Sequence, residues 1–141
     1  MKKLRFLLIL ATLVALPILA IRYVLEERTH AEQKVREAAY QSALRSYTQV
    51  FKPGASRKQV EGYLHGREID FRQMCCVGRR NTETYDDLVR IGQEDPPFIC
   101  EGKNIYVAFQ FSGREPLDIP KANATDKLDE ITIFRWLEGC L

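Results

Sequence analysis

The sequence predicts an α+β protein with an N-terminal membrane anchor and a long helix, a short second helix, and then a three- or four-stranded antiparallel sheet with the helices on one face. Three observations support this class: an uncharged apolar run near the N-terminus, apolar residues three or four apart up to residue 51, and alternation of apolar and polar residues beyond residue 68. The 141 residues amount to one domain's length, so a multidomain enzyme is not expected.

The first residues have the layout of an export signal. Residues 6–21 carry no charge, and three positive charges precede them, at Lys2, Lys3 and Arg5. This arrangement is typical of a signal anchor or a cleavable signal peptide, with the positive charges kept in the cytoplasm. It predicts a single-pass protein of the bacterial cytoplasmic membrane, with its C-terminal domain in the periplasm or outside the cell.

Retention of this segment and its cleavage are both compatible with the sequence. The side chain of Arg22 can reach the interface, so residues 6–25 suffice for a span of about 20 residues in the lipid bilayer. Cleavage after Ala20 is disfavoured because Ile18 occupies a position that requires a small residue. We therefore predict a signal anchor over residues 1–25, with a cleaved signal peptide as the alternative.

The charge balance argues against a nucleic-acid partner. All 19 acidic residues lie after position 25, where 17 of the 21 basic residues also lie, so this part of the chain is slightly acidic. Binding to a phosphate backbone needs a concentrated basic surface, which this balance does not offer.

A long amphipathic helix is predicted over residues 26–50. The stretch has no Pro or Gly, and apolar or small residues recur three or four apart. Residues 26–39 are rich in charges and carry only small apolar side chains, which predicts a helical stalk. Larger apolar side chains from Tyr40 onward predict that residues 40–141 form a small extracytoplasmic α+β domain.

A short second helix follows Pro53 and Gly54, which end the first one. Ser56 and Gln59 form a capping box, in which the Ser56 hydroxyl accepts the Gln59 amide hydrogen while the Gln59 side chain reaches back. The apolar face of this helix is formed by Val60, Tyr63 and Leu64. Gly66 is expected to adopt the left-handed conformation that follows many helix ends.

The run from Gly54 to Leu64, preceded by Pro53, resembles a helix start in the small outer-membrane lipoproteins of the SmpA/OmlA (BamE-like) type. The shared pattern is Gly-x-Ser/Thr-x-x-x-Val-x-x-x-Leu, matched here by Gly54, Ser56, Val60 and Leu64. The helix-helix-sheet order is similar too. The resemblance implies such a fold and a non-catalytic binding or scaffolding function in the envelope. The lipidated N-terminal Cys that anchors those proteins has no counterpart here.

Three segments have the alternation of β-strands, namely residues 68–77, 104–111 and 129–137. Residues 88–93 are ambiguous. Their β-branched content favours a strand, although Thr84 followed by Asp86 and Asp87 also fits the start of a helix. We interpret them as a strand. The spacing of these segments suits hairpins and so predicts an antiparallel sheet.

The register of two predicted strands pairs two of the four cysteines. If residues 104–111 and 129–137 are antiparallel neighbours, opposed residues keep a constant sum of residue numbers. Phe109 opposite Ile131 puts the apolar residues of both strands on one face. The same register, continued outward, sets Cys100 opposite Cys140, which is close enough for a disulfide.

Disulfides are the first interpretation of cysteines in an exported chain. Zinc binding is disfavoured because Cys75 and Cys76 are adjacent and lack the spacer of a chelating pair, and free buried thiols are a further alternative. We predict a disulfide between Cys100 and Cys140. Cys75 and Cys76 stay unassigned, as free thiols or a vicinal pair.

The alternation also predicts a partner-binding surface. If Val107 and Ile131 face the helices, Tyr106, Phe134 and Trp136 lie on the opposite face of the sheet. Aromatic rings on an uncovered sheet face are typical of surfaces that bind partners. The alternative is that a loop, such as residues 112–127, folds over the rings.

No catalytic, cofactor-binding or metal-binding site is predicted. The sequence has no Gly-x-Ser-x-Gly motif, no Gly-rich phosphate loop and no Cys-x-x-Cys pair. Two charged pairs, Asp86-Asp87 and Arg57-Lys58, are interpreted as solvated surface charges. We expect a membrane-anchored, envelope-facing protein that binds or scaffolds a protein partner without catalysis. The alternative is a small secreted enzyme or inhibitor-like domain released by signal cleavage.

Overall fold

The computed structural model describes residues 2–75, 84–113 and 121–141, with side chains from residue 16 onward. Two helices precede four strands, and their bounds are α1 (Lys2–Val50), α2 (Arg57–Gly66), β1 (Arg72–Cys75), β2 (Tyr85–Glu94), β3 (Gly102–Ser112) and β4 (Lys127–Glu138). The strands form one antiparallel sheet in the order β1-β2-β3-β4. The predicted α+β class and the helix-helix-sheet order are confirmed.

The chain divides into two units, Met1–Ala39 and Tyr40–Leu141. The side chains of residues 16–39, all within α1, are almost entirely exposed. Among the residues described here, no helix is both long and apolar enough to cross a membrane. Residues 6–15 of the uncharged run, on which the anchor prediction rests, lie outside the described side chains, and the anchor stays a prediction.

The core of the second unit lies between the helices and one face of the sheet. The last turns of α1 contribute Tyr47, and Phe51 follows directly after the end of this helix. The second helix contributes Val60 and Leu64. The sheet contributes the buried residues Val89, Val107, Phe109, Phe111 and Leu128. The three residues from β3 are alternate positions, because successive side chains point to opposite faces of a sheet. The helices therefore cover one face, as predicted.

The pairing of β3 with β4 follows the predicted register. Phe109 lies opposite Ile131, and Tyr106 lies opposite Phe134. The ladder runs outward to Gly102 opposite Glu138, with one irregularity after Gln110. Register is well specified here because a slip by one residue would turn the apolar residues of β4 away from the helices.

The end of α2 differs from the prediction. The capping box of Ser56 and Gln59 is present, but Gly66 is still helical and the left-handed residue is Glu68, with φ 56°. The chain turns there so that the Ile69 amide donates to the Leu64 carbonyl at 2.9 Å, which closes the helix end. A residue other than glycine in this conformation costs about 1 kcal/mol.

The strand boundaries also sharpen the prediction. The ambiguous residues 88–93 are part of β2, so the strand interpretation is confirmed. The described part of the predicted strand 68–77 is shorter, because pairing with β2 begins only at Arg72. Ile69 and Phe71 instead pack against the core on the helix side.

Candidate functional site

The disulfide Cys100–Cys140 closes the end of the sheet where β3 begins and β4 ends. The two sulfur atoms are 2.01 Å apart and the Cα atoms 4.0 Å apart. This is the placement that the register predicts. Cys75 is also disulfide-bonded, and Cys76 lies outside the described residues.

The chain segments next to this disulfide carry exposed apolar side chains. Phe98 and Leu141 are fully exposed, and the Leu141 amide donates to the Ile99 carbonyl at 3.0 Å. We call this surface the apolar end, and it consists of Phe98, Ile99, Trp136, Leu137 and Leu141. The Glu101 side chain borders it beside Gly139, and the Glu138 carboxylate nearby is paired with Arg72. Trp136 and Leu137 are consecutive in β4, so their side chains lie on opposite faces of the sheet at this end. Exposed large apolar side chains concentrated at one end of a domain are typical of surfaces that bind partners.

The predicted aromatic surface is only partly open. Tyr106 is 3% exposed, so the expectation that its ring faces solvent is wrong. Leu88 and Ala108 pack beside it, and the guanidinium of Arg72 lies 4.5 Å from the ring centre. The same guanidinium also donates a hydrogen bond to Glu138 at 2.9 Å.

The other two aromatic residues are more accessible. Phe134 is half-buried and Trp136 is 37% exposed, with their ring centres 5.7 Å apart. Of the three predicted residues, Trp136 is the one the structure presents to solvent. It belongs to the apolar end. Sequence alternation gave the correct face for all three but not the depth of each ring.

A buried cluster of charged and polar side chains lies at the opposite end of the sheet, and the sequence analysis did not predict it. Arg57, at the start of α2, is 1% exposed, and its guanidinium donates to Asp87 at 2.6 Å, Asp126 at 3.3 Å and Thr84 at 3.0 Å. It also donates to the carbonyl of Tyr85. We call Arg57, Thr84, Asp87 and Asp126 the buried charge cluster.

Residues around Asp126 complete this cluster. The Asp126 carboxylate accepts from the Asn123 amide at 2.8 Å and lies 2.6 Å from the Thr84 hydroxyl. The Arg57 guanidinium also lies 3.9 Å from the ring centre of Phe111. These contacts satisfy most of the donors of one guanidinium, which is the condition for burying a charge.

Asp87 is the exception within the cluster. Its Oδ2 atom has no hydrogen-bond partner among the described residues, although its Oδ1 atom accepts from Arg57. Burial raises the pKa of Asp87 to about 7, against the lowering effect of the Arg57 charge. Asp87 therefore changes its protonation state near neutral pH.

The prediction that Arg57 and Asp86-Asp87 are solvated charges is wrong. Asp86 is buried on the other face, where its carboxylate accepts the Phe111 amide at 3.1 Å. Lys58 is exposed, as predicted. One signal was present in the sequence: Asp87 lies two residues before Val89, so alternation puts it on the helix-facing side.

The arrangement offers little for catalysis or metal binding. The carboxylates of the buried charge cluster are sealed from solvent and held by an arginine. Within the described ranges, no group of three or more His, Cys, Asp or Glu side chains is placed to hold a metal ion. A shallow groove of about 310 Å³ beside β4 is lined mainly by apolar groups, including Phe51, Pro53 and Ile131.

Comparison with known proteins yields no relative. No protein-family model matches the chain, and no curated protein and no solved structure is significantly similar to it. The resemblance to the SmpA/OmlA type therefore stays a prediction.

Proposed function

We propose that this protein is a membrane-anchored, envelope-facing binding or scaffolding protein without catalysis. Residues 1–25 are the signal anchor and residues 26–39 the helical stalk. The domain of residues 40–141 binds a protein partner. The observation that carries the proposal is the apolar end, which presents large apolar side chains on a covalently closed corner of the sheet.

The chemistry of the apolar end favours a protein partner. Trp136 and Phe98 are of the residue type that dominates binding energy when a partner buries it. The Glu101 carboxylate at the border favours a partner that carries a basic residue beside an apolar centre. Anionic lipid headgroups fit such a border poorly because the charges are alike.

The buried charge cluster supports the non-catalytic part of the proposal. A substrate must reach the groups that act on it, and Arg57 and Asp87 are almost completely buried. Each contact of Arg57 joins elements of the fold: α2, the start of β2, and the turn before β4. A structural role accounts for all of these contacts.

Photo-crosslinking in the host cell tests the binding surface. A photo-reactive phenylalanine analogue replaces Phe98 in one sample and Trp136 in another, and Lys58 at the opposite end of the sheet serves as the control position. Phe98 and Trp136 are expected to yield the same protein adduct, and Lys58 is not. Equal adducts at all three positions, or none at Phe98 and Trp136, contradict the proposal.

The anchor needs a separate test. A reporter that is active only outside the cytoplasm is fused after Leu141, and the cells are fractionated. The fusion is expected to be active and to remain with the membranes. Recovery in the soluble fraction, with an N-terminus near residue 21 (cleavage after Ala20) or near residue 32 (cleavage after the small residue Ala31), would support the alternative of a secreted domain released by signal cleavage.

A further inference from the structure

We propose that the Cys100–Cys140 disulfide is a redox gate on the apolar end: the oxidised chain presents this surface, and reduction by a dithiol releases it. The inference rests on the proposed function, because it assigns a regulation to the same surface.

The disulfide lies outside the strand ladder. The outermost pair of β3 and β4 is Gly102 with Glu138, two residues inside each cysteine. Residues 95–100 and 139–141 belong to no helix or strand. Opening of the Cys100–Cys140 bond therefore removes none of the strand pairs of β3 and β4, and the segments it frees are these two.

Among the described residues, two main-chain hydrogen bonds join the chain at and beside these segments once the bond is open. The Leu141 amide donates to Ile99, and the Glu101 amide donates to Glu138 at 2.9 Å. All but Glu138 of these residues are exposed, so water competes for both hydrogen bonds. The side chains of Phe98 and Leu141 are fully exposed and contribute no burial. Conformational entropy therefore favours release of the segments after reduction.

A dithiol can reduce the Cys100–Cys140 bond by thiol–disulfide exchange. Cys140 is exposed and Cys100 is half-buried, so a thiolate can approach the sulfur of Cys140. Its attack forms a mixed disulfide and expels the Cys100 thiolate, which takes up a proton. The second thiol of the dithiol then attacks the dithiol sulfur that is bonded to Cys140, which closes the dithiol into a disulfide and frees the Cys140 thiol. The dithiol loses two electrons and two protons, and the protein gains two thiols.

Residues 98–99 and 141 lose their fixed positions when the bond opens. Trp136 and Leu137 stay on β4, because their pairing with Asn104 and Lys103 does not depend on the disulfide. The gate thus divides the apolar end into a part that is always present and a part that requires the oxidised state.

Amide hydrogen exchange of the full chain in detergent tests the gate without a partner. On reduction with excess dithiothreitol, the amides of Leu141 and Glu101 are expected to exchange at least about tenfold faster. Those of Val107 and Ile131 are expected to change by less than about twofold. The double variant Cys100→Ser, Cys140→Ser should behave like the reduced chain while leaving the Cys75 bond intact. Unchanged protection of Leu141 overturns the proposal.

Crosslinking separates failure of the gate from failure of the proposed function. The photo-reactive analogue at Phe98 is compared in the oxidised chain and in the double serine variant. The adduct yield is expected to fall about tenfold in the variant, which corresponds to about 1.4 kcal/mol of binding free energy. Equal yields overturn the gate and leave the proposed function standing. No adduct in the oxidised chain overturns the proposed function itself.

Discussion

The two ends of the sheet are held in opposite ways. Where β2 and β4 begin, the buried charge cluster joins α2 to the sheet through contacts sealed from water. Where β4 ends, a disulfide joins two segments whose side chains remain open to solvent. A buried ion pair requires its surroundings to exclude water, whereas a covalent bond does not. The second end can therefore keep apolar side chains exposed, as a binding surface requires.

The largest expected effect is at the buried end. Arg57→Met leaves Asp87 and Asp126 buried without their cation, so we expect the free energy of unfolding to fall by about 3–5 kcal/mol. Urea denaturation of the full chain measures it. The neighbouring variant Lys58→Met is the matched control and should change stability by less than about 0.5 kcal/mol. Similar values for both variants would remove the contrast between the two ends.

The disulfide end is expected to be less sensitive in the folded state. Replacing both Cys100 and Cys140 by Ser opens a loop of 40 residues and should lower the free energy of unfolding by about 3–4 kcal/mol, through the greater entropy of the unfolded chain. Circular dichroism at the start of the urea titration should still show the native sheet. Loss of the sheet signal in the absence of urea would mean that this end also carries the fold.

The pH dependence of stability probes the buried end alone. The pKa of Asp87 is raised to about 7 in the folded chain, whereas it titrates near its ordinary value when unfolded. The folded state then binds more protons between about pH 4 and pH 7, so stability falls as pH rises through this window. The slope is at most about 1.4 kcal/mol per pH unit.

Asp87→Asn is the control for that experiment. Urea denaturation at several pH values should show a smaller fall in stability between pH 4 and pH 7 in the variant than in the wild type. The disulfide should make no difference to this slope, because its cysteines do not titrate. Identical slopes in Asp87→Asn and the wild type would contradict the raised pKa.

The smallest expected effect on stability is at Trp136. Because this ring is partly exposed, Trp136→Ala should change the free energy of unfolding by less than about 1 kcal/mol while weakening partner binding by about 2 kcal/mol. Titration of the captured partner and urea denaturation give the two values. Tyr106→Ala, at a buried position, should show the reverse pattern. A Trp136→Ala chain that fails to fold would place this ring in the core.

The sequence predicted the disulfide end better than the buried end for a physical reason. In β3 and β4, alternation marks the covered face of each strand, and matching those faces leaves few registers. The register that pairs Phe109 with Ile131 also places Cys100 opposite Cys140. The exposure of individual rings does not follow in this way, because it depends on side chains such as that of Arg72, which reaches from β1 across β2 to the Tyr106 ring on β3.

The buried charge cluster brings together residues that no local pattern relates. Arg57 is 30 residues from Asp87 and 69 from Asp126 along the chain. A periodic pattern predicts buried positions from apolar side chains, so charged residues are assigned to the surface. The sequence indicated that Asp87 faces inward only because it lies two residues from Val89 in the same strand. That spacing does not predict which residue pairs with the buried carboxylate.

The strand order has a consequence for the timing of folding. Each strand pairs only with its neighbours in the chain, so most of the sheet forms from local contacts. The helix side of the sheet, however, is completed by β4 and the turn before it. Leu128 enters the core, and its main chain is hydrogen-bonded to Gly54 and Ala55. Asp126, in the turn before β4, binds Arg57. A nascent chain that ends at Ser112 lacks all of these contacts. The domain therefore cannot complete its core until β4 is available, and before that step the apolar face of its helices stays uncovered.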